Sequence, residues 1–422
     1  MKRRASFLTI LASATALCTA ASAAELRMTW WGGNSRHAAT QAALQACGEK
    51  YDHTVKAEFT GWKGYLEKLT TQLAGGTEAD ILQVNWPWLP LFSPKGDGFA
   101  DLTLFSDIID LSQWSGAELS ATTIDGKLNG LPLATTGRVF LFNQAVFKKA
   151  DLQLPKNWNE LVAAAEAFQD KLGHDHYPLE VTEDNPVLIV MLVATQKTGK
   201  SLVDAKTNRV AWSIEELSEA IDFYGMLVEK KVTRPWKDWA SEGYIKLYNS
   251  PNWEAGKIAG SYEWDSTYFK YADPLKDDDA LVPVPILKID GAVTEGVFRK
   301  PSMVFSISKR SDNQDAAAEI VNCLLNEKEG IEALGATRGL PASRIALATL
   351  KEAGKIAPEL VAANDLVMTG TGPEVSPLSE HPRIRDAFKD ALEMYAYGEF
   401  SSEQAADEII YSINEILEKF DP

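Results

Sequence analysis

The stretch Leu26–Cys47, LRMTWWGGNSRHAATQAALQAC, decides the fold. Its first six residues read as a short apolar strand, and SRHAATQAALQAC reads as a helix. Around their junction stand two tryptophans, two glycines, an amide and an arginine. A hydrophobic core would take the indoles but not the glycines and the charge, so the junction itself is a candidate binding surface. Strand alternation places at least one of Trp30 and Trp31 in the core.

The same alternation continues downstream. TVKAEFTGW is a strand, KGYLEKLTTQLAGG a helix with Leu66, Leu69 and Leu73 on one face and glycines after its end, and ADILQVNWPW a third strand. A βαβαβ order predicts a parallel sheet flanked by helices. Near GKLNGLPLATTGRVFLFNQAVF the pattern breaks at Gly130-Leu131-Pro132 before another strand. Helices then dominate, in NWNELVAAAEAFQDKL, PVLIVMLVATQKTG and SIEELSEAIDFYGMLVEKK. KIAGSYEW adds a short strand, and the alternating PSMVFSISK reads as a return to the first sheet. A chain of 422 residues exceeds the usual size of a single core, so two domains are expected.

Upstream, MKRRASFLTILASATALCTAASAA has a basic start, an apolar run and the small residues of Ala21-Ser22-Ala23, which predicts an export signal over residues 1–23. That stretch holds three of the 42 basic residues and no acid, so its removal takes the net charge from −17 to about −20. Such a field argues against nucleic acid or anionic lipid as a partner. No later run approaches the roughly 20 apolar residues that span a bilayer. Of three cysteines, Cys47 and Cys323 follow the signal, and they either bridge or stay as buried thiols. The five histidines are scattered without ligand spacing, so no metal is expected, and no cofactor motif is present. A glycosidase would need two carboxylates placed across a bond, and no spacing among 59 acids singles out a pair. There is no G-x-S-x-G, P-loop or H-E-x-x-H, and DPLKDDDALV lacks the EF-hand pattern. No catalytic residue is assigned.

The signal segment, WWGGNSRH, LAGGTEADILQVNWPWLP, NGLPLATTGRVFLFN, AGSYEWDS, RKPSMVFSISK and GATRGLPAS together resemble the carbohydrate-class solute-binding proteins of bacterial ABC importers. Within that class the chain is most similar to the periplasmic binding proteins for pectin-derived oligogalacturonides. The resemblance implies a type II-like, two-lobed α/β fold, each lobe a mainly parallel sheet flanked by helices, joined by hinge crossovers. One lobe would comprise residues 24–132 and about 286–340, the other 133–285 and about 341–422. It also implies a periplasmic monomer that binds an acidic oligosaccharide between the lobes and passes it to the permease subunits, with no cofactor. The alternatives are a carrier of a neutral oligosaccharide and a secreted uronate-processing enzyme.

Ligands of open α/β sheets sit outside the carboxyl ends of strands, where this sequence places Trp30, Trp31, Gly33, Asn34 and Asn85. Trp86 and Trp88, two apart, are expected on one face and in the cleft, and Trp62 and Trp264 complete the aromatic candidates. Indoles suit the apolar face of a pyranose while amides and charges suit its hydroxyl rim. Gly32 and Gly33 would let backbone approach closely. Arg36, Arg138, Lys300 and Arg338 are the candidate carboxylate partners, each with a structural alternative as a surface, paired or turn-capping residue.

Overall fold

A computed structural model describes residues 23–182, 184–204, 206–276 and 281–420. All but the last residue of the expected export signal lies outside them.

The opening strand, β1 (Glu25–Trp31), pairs in parallel with β2 (Thr54–Thr60) along its whole length, from Glu25 opposite Thr54 to Trp31 opposite Thr60. On its other side it pairs in parallel with β3 (Ile81–Asn85). Helices α1 (Asn34–Tyr51) and α2 (Tyr65–Gly75) make the two crossovers. Each ends on a residue in the left-handed region, Asp52 at φ 57° and Gly76 at φ 63°, which accepts the turn out of the helix. Leu69 of α2 is buried, with Leu66 and Leu73 packed beside it, as the helical spacing predicts.

Two further strands complete the first sheet from distant sequence. They are β4 (Leu131–Pro132) and β9 (Met303–Ile307), in the order β2-β1-β3-β9-β4, with β9 antiparallel to both neighbours. Leu26, Met28, Trp30, Val84, Phe305 and Ile320 belong to the core around this sheet. Cys47 of α1 and Cys323 of the helix Gln314–Asn326 form a disulfide inside it, closing the alternative of free thiols.

A second core surrounds β5 (Thr135–Asn143). β6 (Gly260–Trp264) pairs with β5 on one side; β7 (Leu281–Val284) and β8 (Arg299–Pro301) are its other partners, and all are antiparallel to it. The helix Asn185–Thr198 is buried over most of its length, which explains why its sequence carries no amphipathic period. The two-lobed α/β arrangement is as expected, but the strand sense is not: the second sheet is built on antiparallel pairs. Strand sense depends on which end of the sheet each connection returns to, and the strand sequences carry no record of that.

Three connections join the cores. β4 runs into β5 and β8 into β9 side by side, tied by Leu133 N–H to the Met303 carbonyl at 3.0 Å and Ser302 N–H to the Ala134 carbonyl at 2.8 Å. The loop Gly335–Leu340 lies against the first of these, with Ala342 N–H on the Leu133 carbonyl, and the third crossing follows the helix Arg344–Glu352, which still packs on the first lobe. Gly339, at φ +100°, could carry no side chain there, since a Cβ would lie 2.9 Å from that of Ser266. Ile286, Leu287 and Val297 pack in the second core, so the return crossing comes after Val297 rather than near residue 286.

The disulfide ties elements 276 residues apart, so its loss relaxes a long loop in the unfolded chain. A Cys47→Ser/Cys323→Ser variant should lose about 2–4 kcal/mol, read as a lower denaturant midpoint for the first lobe and reproduced in the native protein by reductant. His381 gives a pH signature. It is buried against Phe420 with neither ring nitrogen partnered among the described residues, and burial, aided by Arg383, lowers its pKa to about 4. Above pH 6.5 neither state is protonated there. As pH falls from 6.5 towards 4 the unfolded chain takes up the proton first, so stability should fall with a slope of at most about 1.4 kcal/mol per pH unit from this group. Urea titrations across that window should show the slope reduced in His381→Leu.

Candidate functional site

At the carboxyl ends of the first lobe's parallel strands, three indoles meet. Trp31 lies 5.3 Å from Trp62 and 5.7 Å from Trp88, and Trp62 stacks on Trp88 at 5.3 Å with 21° between planes. Tyr65 closes the group, 5.1 Å from Trp31, its hydroxyl donating to the Gln83 carbonyl. Trp31 and Trp88 are buried, whereas Trp62 leaves 45% of its surface open. The cluster therefore offers one aromatic face held rigid from behind.

Trp30, expected among the candidates, points the other way. It is fully buried, its Nε1 donates to His37 Nδ1 at 3.1 Å, and it packs on Phe59. Trp86 is a correction too. β3 ends at Asn85, and Trp86–Trp88 form a 3-10 turn, where residues two apart diverge by about 120° instead of sharing a face. Trp86 is buried with its Nε1 on the Ala121 carbonyl at 2.7 Å, away from the indole group. Half-buried Asn85 leads into the turn.

Gly33 is the N-cap of α1, exposed, with open space where a side chain would go, and Asn34 is exposed beside it. Gly32 is the position that demands glycine: a Cβ would fall 2.6 Å from Arg36 Cδ. Arg36 lies back over that glycine, its Nε donating to the Thr337 carbonyl at 3.0 Å and Nη1 to the Trp31 carbonyl at 3.4 Å. Arg338 enters from the loop Gly335–Leu340, with Nε on Gln83 Oε1 at 2.8 Å and Nη2 on Thr40 Oγ1 at 2.9 Å. Gln83 in turn donates to the Trp31 carbonyl, so the two arginines share one network. Burial lowers the pKa of both, that of Arg36 to about 10, and Arg36 lowers Arg338 further.

The other two cations sit in the second lobe around Trp264, which is half-buried. The Arg138 guanidinium lies 5.0 Å and Lys300 Nζ 4.7 Å from the indole centroid, and Phe298 meets it edge-on. Both are already compensated. Arg138 pairs with Glu263 at 3.4 Å and donates to Asn185 and the Tyr262 carbonyl, and Lys300 pairs with Glu380 at 2.9 Å. The turn Pro377–Glu380 packs on the turn Trp86–Trp88, so Glu380 links the aromatic cluster of one lobe to the cation cluster of the other.

Sequence reasoning missed Tyr65, Gln83, Thr40 and Glu380. Tyr65 was within reach, three residues after Trp62 at the start of a helix. The other three carry no spacing signal, since only the folded sheet brings Gln83 and Thr40 to Arg338. Among the described residues no group of three histidine, cysteine or acidic side chains could hold a metal, and no helix is long and apolar enough to cross a membrane.

A Yersinia enterocolitica periplasmic oligogalacturonide binding protein, in complex with saturated digalacturonic acid, is 39% identical over 94% of this chain and 99% of its own, with a TM-score of 0.90. Another structure of a periplasmic oligogalacturonide binding protein from Y. enterocolitica, at the same identity and coverage, has a TM-score of 0.74. A binding protein of Brucella abortus is 31% identical over 175 residues, and the alignment spans 40% of that curated relative's length and 39% of this chain. Residues 33–331 match the bacterial extracellular solute-binding proteins as a family. The chain belongs to that family.

Proposed function

We propose that this protein binds short acidic oligosaccharides, oligogalacturonides, between its lobes and hands them unaltered to the transmembrane subunits of an ABC importer, working as a periplasmic monomer. The observation that carries the reading is the juxtaposition at the end of β1: an open indole face on Trp62, backed by Trp31 and Trp88, and two arginines on the same network with no carboxylate partner among the described residues. An aromatic face takes the C–H side of a pyranose, and a guanidinium fork takes a carboxylate. The likeness to the Yersinia protein in complex with saturated digalacturonic acid supports the ligand class.

A neutral oligosaccharide is the second reading, favoured by the neutralisation of Lys300 and Arg138 within the second lobe. Digalacturonate should raise the melting temperature and maltose should not. At 100 times its dissociation constant the gain is about 2.7 kcal/mol. A shift with neutral glucans alone would select the second reading, and release of shortened or unsaturated products on incubation would select an enzyme. Solution scattering should give a smaller radius of gyration with digalacturonate, as hinge closure requires.

The aromatic cluster gives a separate expectation. Trp62→Ala should leave stability nearly unchanged and weaken digalacturonate by about 0.5–1.5 kcal/mol from the ring contact. Trp88→Ala should cost about 3–5 kcal/mol of folding stability, because its ring is buried. Calorimetry with denaturant titration on both variants separates the two roles.

A further inference from the structure

Four cations stand beside the aromatic clusters, and the protein treats them in two ways. Arg138 and Lys300 each meet a carboxylate. Arg36 and Arg338 meet only neutral acceptors: the Trp31 and Thr337 carbonyls, the Gln83 amide and the Thr40 hydroxyl. Among the described residues neither has an acidic partner, in a chain whose net charge is −17. Arg338 Nη1 is buried with no hydrogen-bond partner among the described residues. A buried, unpaired cation is costly, and a second one beside it adds repulsion. The burial-driven fall in both pKa values, and the further fall at Arg338 caused by Arg36, express that cost. The local backbone has the same sign: α1 starts here with no acid in its first turn and no side-chain cap, leaving its free N–H groups unanswered.

Accessibility separates the two arginines. Arg338 is almost fully buried between β3 and α1, held on Gln83 and Thr40. Arg36 is half-buried, and its Nη2 has no acceptor among the described residues. Its bond to the Trp31 carbonyl sets it at the residue whose indole backs Trp62.

We propose that Arg36, with Arg338 behind it as a positioning charge, forms a subsite that reads a single ligand carboxylate and sets the preference for an acidic sugar, while Lys300 and Arg138 read no ligand charge. This rests on the acidic-oligosaccharide reading above and narrows it to one carboxylate at one lobe. A single carboxylate neutralises one guanidinium and shields the other, and a bidentate pair on Arg36 uses the donors the protein leaves open. The second lobe then contributes Trp264 and hydroxyl contacts.

The test uses digalacturonate and its two mono-reduced isomers, each lacking one of the carboxylates, titrated calorimetrically into the full-length mature protein. The wild type should hold one isomer within about threefold of digalacturonate and lose the other by about 30-fold or more, the loss expected when a buried charge partner is removed. Arg36→Gln should abolish that discrimination, Arg36→Lys should restore part of it, and Arg338→Met should reduce it together with the salt dependence of binding. Lys300→Met should weaken both isomers by the same factor. Equal binding of the two isomers by the wild type, discrimination that survives Arg36→Gln, or discrimination lost in Lys300→Met would each overturn the subsite. If Arg36→Gln does not fold, Arg36→Lys decides, because unchanged discrimination there with the fork removed rejects bidentate reading. Failure of the wild type to bind digalacturonate at all would instead reject the acidic ligand itself.

Discussion

Everything about the cleft depends on one pairing: the chain leaving the first lobe is hydrogen-bonded to the chain returning to it. Leu133 to Met303 and Ser302 to Ala134 tie the two crossings into a ribbon, which continues as Thr135 opposite Pro301 and Thr136 opposite Lys300. A single crossing would swivel about every φ and ψ it contains. Two paired crossings bend together, so relative motion of the lobes is confined to a hinge across the ribbon. The loop Gly335–Leu340 lies against the first crossing through Ala342 and Leu133, and Gly339 lets it approach Ser266 closely. Lys300 sits on the ribbon itself, so one of the four cations is carried by the hinge and moves with it.

Charge compensation then divides those cations by lobe. A strongly acidic protein has carboxylates to spare, and it has placed one on Arg138 and one on Lys300. Leaving Arg36 and Arg338 with carbonyl, amide and hydroxyl acceptors preserves their field while satisfying four of their ten N–H donors. Each neutral acceptor is itself held in place: the Trp31 and Gln83 groups by the sheet, Thr40 by α1, Thr337 by the loop Gly335–Leu340.

The βαβαβ opening was legible because its cause is local. The apolar run of β1, the leucine face of α2 and the glycines after it all follow from neighbours in sequence. So was the positive character near Arg36 and Arg338, through a resemblance in motifs. What could not be read was anything set by long-range geometry. The antiparallel second sheet depends on where long helical excursions return. The pairing of Lys300 with Glu380 joins residues 80 apart through a turn that carries no motif. The divergence of Trp86 from Trp88 turns on one choice, strand or 3-10 turn, and Pro87 marked the strand end without saying which geometry followed. Cys47 and Cys323 were two residues whose distance no sequence spacing reveals.

The opening stretch shows how local and long-range causes meet. Trp30 and Trp31 differ in role only because β1 alternates, and a one-residue slip against β2 would exchange them, sending the site indole to the core. The slip is opposed from both ends. Seven consecutive register pairs hold β1 to β2, and the disulfide anchors α1, which begins three residues after Trp31, to the helix Gln314–Asn326. Gly32 completes the constraint, because any larger residue would push Arg36 off the Trp31 carbonyl. The composition that looked wrong for a core is therefore what a strand end needs when one indole packs inward and the next backs the open face of Trp62. The residue after that must vanish so that an arginine can lie beside it.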